Sequence, residues 1–102
     1  MGWALLKAAF SALPADDAAA IHLLTQIRGI GRWSAEIYLM FAEGRPDIWP
    51  AGDLAVQESA GRIMGLPERP KEKATRALAE KWSPYRSSVA IFFWHYRHVT
   101  PL

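Results

Sequence analysis

A chain of 102 residues without cysteine is long enough for one domain and one core, and it excludes disulfide scaffolds, thiolate nucleophiles and cysteine-ligated zinc or iron-sulfur clusters. At 51% hydrophobic and 22% charged residues it has the balance of an ordinary globular protein, and no apolar run approaches the ~20 residues of a membrane span. The net charge of +2 hides an asymmetry: residues 1–58 hold four Lys/Arg against seven Asp/Glu, and residues 59–102 hold eight against three, which suits a polyanionic partner and equally a solvated helix face such as "ERPKEKATRALAEK".

In chain order, turn and cap signals divide the sequence into short helices with no convincing strand, so the expected fold is all-α, a single domain over residues 1–102. A first helix is expected over residues 3–12. The stretch "MGWALLKAAFSALPADD" lacks a basic leader and a cleavage pattern, which fits a cytoplasmic protein. "LPADD" supplies a break and an N-cap for a second helix over about residues 17–26. After Gly29 and Gly31 a third runs from Arg32 to Glu43, with Ile37, Met40 and Phe41 as its apolar stripe. "EGRPDIWPAGD" is a loop, because two prolines and two glycines leave no room for a regular element. A fourth helix is expected from Leu54 to Met64, ended by Gly65, and a fifth with Pro70 in its first turn runs to about Trp82. Ser83 as N-cap and Pro84 at the first helical position would open the last, which reaches His98.

Residues 24–34 have the form of a helix-hairpin-helix turn, Ile27-Arg28-Gly29-Ile30-Gly31, with Arg28 where proline is common. Glycines there give the backbone unusual dihedrals and let amide N–H groups approach an anion at the N-terminus of the next helix. Ser34 could add a hydroxyl donor and Arg32 a positive charge. Gly29, Gly31, Arg32 and Ser34 are thus candidates for binding a nucleic-acid backbone without reading its sequence. The bland alternative is a tight turn between packed helices.

The hairpin "IRGIGRWSAEIYLMFAEGRPDIWPAGDLAVQ" together with "AEKWSPYRSSVAIFFWHYR" resembles the bacterial 3-methyladenine DNA glycosylase II family, within the helix-hairpin-helix DNA glycosylase superfamily. The shared motifs are a hairpin ending G-R-W-S/T-A, a proline-containing loop ending in Asp before a helix, and a W-x-P-W/Y-R-S segment leading into the last helix. Members of the family are longer and the likeness is to their C-terminal portion, so the part that usually precedes Met1 is expected to be missing.

The resemblance implies DNA base-excision repair by a monofunctional glycosylase that hydrolyses the N-glycosidic bond of alkylated purines such as 3-methyladenine. Its partner would be double-stranded DNA containing alkylated bases, in the bacterial nucleoid. Asp53 corresponds to the catalytic aspartate, although on local grounds an Asp before a helix is first of all an N-cap. Trp33 and Trp94 correspond to pocket tryptophans, where indole faces would stack on a flipped, positively charged base. Trp33 also stands where strand-cutting relatives carry a nucleophilic lysine, which implies no lyase step. The aromatic that relatives place one turn after Trp33 is Ile37 here, and the acidic residue before the catalytic one is Gly52. No diffusible cofactor is implied; a structural Na+ or K+ on the backbone carbonyls of Thr25, Ile27 and Ile30 is. His22, His95 and His98 have no metal-binding spacing and carry no role. The competing readings are a non-catalytic DNA-binding hairpin module and a helical bundle whose hairpin only packs.

Overall fold

Helix starts and stops follow from short-range chemistry along most of the chain. In the computed structural model, which describes residues 13–99, Asp16 opens α1 (Asp17–Thr25) by accepting the Ala19 amide at 2.8 Å. The helix expected over residues 3–12 lies outside the described residues. The chain then reverses at Gly29, whose φ of +91° is a conformation that side chains resist, and Gly31 leads into α2 (Arg32–Phe41). The long loop after α2 ends at Asp53, which caps α3 (Leu54–Ile63) by accepting the Val56 amide at 3.0 Å. α3 stops in a left-handed turn: Gly65 has φ +68°, and the amides of Gly65 and Leu66 donate to the carbonyls of Arg62 and Gly61.

Two expectations about helix starts are corrected. Pro70 is not in a first helical turn; Lys71 is the N-cap of α4 (Glu72–Leu78), and Pro70 is buried where a Cβ added at Gly61 of α3 would lie 3.2 Å from its ring. α4 tightens into a 3-10 turn, Ala79–Trp82. The last helix, α5 (Arg86–Val99), starts two residues after Pro84, and Ser83 does not cap it. The Ser83 hydroxyl donates instead to Asp47 at 2.7 Å, and Asp47, from the long loop, receives the Arg86 amide at 3.2 Å and the Arg86 guanidinium at 2.8 and 2.9 Å. A carboxylate distant in sequence has replaced the local cap.

All regular structure among the described residues is helical. α1 packs on α2, and α3 lies along α5, where the small residues Ser59, Ala60 and Ala90 are fully buried and the Ser59 hydroxyl donates to the Phe93 carbonyl at 2.7 Å. Leu24, Leu39, Ile48, Trp49, Val56 and Phe93 fill the core. Trp49, Trp82 and Phe93 meet with ring centroids 5.5 to 5.6 Å apart, tilted or edge-on contacts that add to their burial.

The loop before α3 is irregular but anchored throughout. Ser87 of α5 donates its hydroxyl to the Arg45 carbonyl at 2.6 Å and accepts the Ile48 amide at 2.8 Å. Trp49 donates its indole N–H to the Thr75 carbonyl at 3.0 Å, and the Gln57 amide group donates to the Ala51 carbonyl at 2.8 Å. With its backbone polar groups tied to α3, α4 and α5, the loop delivers Asp53 at a fixed place.

Candidate active site

Three helices converge on Asp53. Trp33 stands in the first turn of α2, Asp53 at the start of α3 and Trp94 on α5, and both indole N–H groups donate to the one carboxylate, Trp33 to Oδ1 at 3.0 Å and Trp94 to Oδ2 at 2.8 Å. Oδ2 also takes the Val56 amide. An ionised carboxylate offers about four acceptor positions, so three are filled and the group is held in one orientation while part of it still faces outward.

The carboxylate lies in an open groove of about 400 Å³ lined by Trp33, Ile37, Phe41, Asp53, Trp94 and His98. Phe41 stacks on Trp94 with centroids 5.4 Å apart and planes 22° from parallel. Trp33 is 48% and Phe41 61% exposed, so aromatic faces on both sides of Asp53 are available to a flat ligand. Phe41 is therefore a groove residue as well as part of the apolar stripe: of that stripe Met40 is buried, Ile37 half-buried and Phe41 turned out. Phe41 is two turns after Trp33, and His98 one turn after Trp94. That four-residue spacing was the available signal for both.

The hairpin places its candidates at the N-terminal start of α2, the same end that carries Trp33. No atom lies within 4 Å of where a Cβ would stand on Gly29 or Gly31. Unlike α1 and α3, α2 receives no side-chain cap, so its first-turn amides are open to an outside acceptor. Ser34 is exposed. Arg32 is half exposed but donates its Nε to Glu36 at 3.2 Å. Of the carbonyls that the resemblance assigned to a cation, that of Ile27 accepts the Ile30 amide at 3.0 Å, which leaves one lone pair on it. Among the described residues no cluster of His, Asp and Glu side chains could hold a metal.

No protein-family model matches the chain. The chain is 36% identical over 74 residues to DNA-3-methyladenine glycosylase 1 of Schizosaccharomyces pombe, a match covering 72% of this chain and 32% of that protein. It superimposes on the S. pombe 3-methyladenine DNA glycosylase Mag1 in complex with abasic DNA with a TM-score of 0.78 and 29% identity, over 93% of this chain and 44% of that one. A 3-methyladenine DNA glycosylase from Archaeoglobus fulgidus gives a TM-score of 0.76 and 27% identity, over 85% and 30%. The chain is homologous to the DNA-3-methyladenine glycosylases, and its helical fold and the turn over residues 27–31 are consistent with the helix-hairpin-helix glycosylase family. It spans 25 to 33% of the length of the curated glycosylase relatives it matches.

Within the glycosylase fold the residues expected to act together are found together: Asp53, Trp33 and Trp94 form one hydrogen-bonded group, and Gly29, Gly31 and Ser34 one exposed turn and helix start. Sequence reasoning missed Phe41 and His98 at the groove. Among the described residues His22, His95 and the lysines do not line it.

Proposed function

We propose that the chain acts in DNA base excision, hydrolysing the N-glycosidic bond of alkylated purines in duplex DNA and leaving an abasic site. The observation that carries this reading is a carboxylate fixed by two indole N–H groups in the floor of an exposed aromatic groove. A purine alkylated on a ring nitrogen bears positive charge and leaves readily once its bond to the sugar stretches. Flipped out of the duplex, it would stack on Trp33, Trp94 and Phe41, with cation–π attraction adding to the stacking. As the bond between C1′ and the base nitrogen breaks, its electron pair departs with the base and positive charge develops on the sugar. Asp53 stabilises that charge, and its open acceptor position orients a water whose oxygen bonds to C1′ and whose proton passes to bulk solvent.

Trp33, standing where strand-cutting relatives are expected to carry a nucleophilic lysine, supports hydrolysis without strand cleavage. The hairpin holds the backbone: the uncapped amides of α2, the Gly29 and Gly31 backbone, and the Ser34 hydroxyl face a phosphate, with Arg32 adding charge. A Na+ or K+ on the carbonyls of Thr25, Ile27 and Ile30 belongs to the same proposal. So does action on bacterial nucleoid DNA.

Since the chain spans a third or less of its curated relatives, a DNA-binding module without catalysis is the second reading. Single-turnover incubation with a methylated duplex, followed by alkaline cleavage of abasic sites, separates the two. The same assay is run on a chimera in which the matching segment of the S. pombe glycosylase is replaced by that of this chain. Abasic sites formed by wild-type and lost in Asp53→Asn support excision; duplex binding without abasic sites in either protein leaves the module.

A further inference from the structure

Glu36, on α2, is 1% exposed and takes no part in the chemistry described above. Burial pushes its carboxyl pKa up, against the opposing pull of Arg76 and Arg32. Its Oε2 receives the Arg32 Nε at 3.2 Å and the Arg76 Nη1 at 3.1 Å. Arg76, from α4, donates from that same Nη1 to the Trp49 carbonyl at 3.1 Å and from Nη2 to Glu72 at 3.1 Å. The Trp49 carbonyl in turn accepts the Ala51 amide at 2.9 Å, and the Asp53 amide donates to the Pro50 carbonyl at 3.0 Å. One buried carboxylate thus joins the arginine beside the hairpin to the loop that ends in Asp53.

We infer that Glu36 is a positioning residue shared between the DNA-backbone site and the catalytic loop, holding Arg32 back from phosphate while it fixes Arg76 on the Trp49 carbonyl. This rests on the hairpin reading above. Glu36 and a DNA phosphate compete for Arg32. A single oxygen serves two guanidinium groups, and a phosphate arriving at the N-terminus of α2 is a second acceptor for Arg32, which is half exposed and can turn. When Arg32 moves to the phosphate, Glu36 is left to Arg76 alone, their pair strengthens in a site of low dielectric, and the loop carrying Asp53 is held more firmly. Backbone engagement and the placement of the carboxylate would then be linked through one residue. The groups facing Glu36 are two cations, and removing its charge must affect them in opposite senses: Arg32 is released to the DNA, and Arg76 loses its anchor.

The test uses the full chain and two readouts that need no turnover. In Glu36→Gln, affinity for an undamaged duplex should rise about fivefold and the salt dependence should steepen by about 0.9 in log–log slope, as for one more phosphate contact. Amide hydrogen exchange at Ala51 and Asp53 should quicken about tenfold as the loop loosens. The gain in affinity should vanish in Glu36→Gln with Arg32→Met, which separates release of Arg32 from a general gain of positive charge. Arg76→Met should also loosen the loop, but weaken duplex binding, since Glu36 then holds Arg32 alone; it serves as the second variant should Glu36→Gln unfold. Unchanged or weaker duplex affinity in Glu36→Gln, a gain that survives loss of Arg32, or unchanged exchange at both amides overturns the inference. A wild-type chain that binds no duplex overturns the hairpin reading as well. An inactive chain with the predicted affinity and exchange changes overturns excision alone.

Discussion

Asp53→Asn separates the two roles that meet at this residue, and the geometry sets the size of each effect. Asparagine caps a helix about as well as aspartate, so an oxygen at the Oδ2 position keeps both the Val56 amide and the Trp94 indole. The Nδ2 group then stands where Oδ1 received the Trp33 indole N–H at 3.0 Å, placing one donor against another. Trp33 is 48% exposed and its N–H can turn to water, so the loss is that of one net hydrogen bond plus the charge assistance of the other two, about 1–2 kcal/mol. Asp53→Ala removes the cap as well and should cost ~1 kcal/mol more. Catalysis should suffer further: loss of the charge facing a developing cation removes about 3 kcal/mol of transition-state stabilisation, roughly a hundredfold in rate. Urea unfolding of the chain gives the first number, and single-turnover excision by the chain or the S. pombe chimera gives the second. Excision at the wild-type rate by a folded Asn variant would show that the carboxylate only caps α3 and anchors the indoles.

Gly31→Val should leave stability within about 0.5 kcal/mol, because φ −90° and ψ 179° suit valine and nothing lies within 4 Å of the new Cβ; duplex affinity should nevertheless fall about tenfold on damaged and undamaged DNA alike, as read by anisotropy. Phe41→Ala loses its stack on Trp94, worth ~1 kcal/mol, and should slow excision of an alkylated purine about tenfold through lost base stacking, with affinity for undamaged duplex unchanged. Asp47 is held at a pKa of about 2, against 3.8, chiefly by the Arg86 guanidinium hydrogen bond, with Ser83 adding to it and burial opposing. A depressed folded-state value means that the unfolded chain binds the proton first, so the stabilisation is complete above pH ~4 and is lost as pH falls towards ~2. It amounts to roughly 2 kcal/mol, and Asp47→Asn should flatten that part of the acid-unfolding profile.

What was legible in the sequence is what acts within four residues. Asp16 and Asp53 cap the next turn, and Gly65 closes the turn before it, so α1 and α3 begin and end close to where those residues imply. Ser83 carries an equally good local signal and fails, because Asp47, 36 residues away, captures its hydroxyl and takes over the first amide of α5. Pro70 fails for a related reason: its ring is buried against α3. Propensity cannot anticipate a tertiary partner that offers the same group a better bond.

The site shows the same boundary from the other side. Cap and catalyst look like rival readings of Asp53 when only the next helix is in view. The structure makes them one arrangement, since the bond to the Val56 amide that caps α3 is also what orients Oδ2 towards Trp94, and the two tryptophans that complete the group lie 20 and 41 residues away. Resemblance could bring those three residues to one list; it could not say that they bond to each other. The consequence is physical. A chain with one small core has few rigid points to which a charged group can be fixed, and here the fixing is done by the same donors that flank the groove and by the helix start itself. Stability and placement of the carboxylate should therefore move together for substitutions at Trp33 and Trp94: replacing either by phenylalanine keeps an aromatic face but removes one of the three donors that hold the carboxylate, and should lower stability by about 1 kcal/mol while slowing excision more than it weakens binding of a damaged duplex. A Phe variant that lost affinity but kept its single-turnover rate would mean that the indole N–H groups serve the base alone and that Asp53 is positioned by its helix.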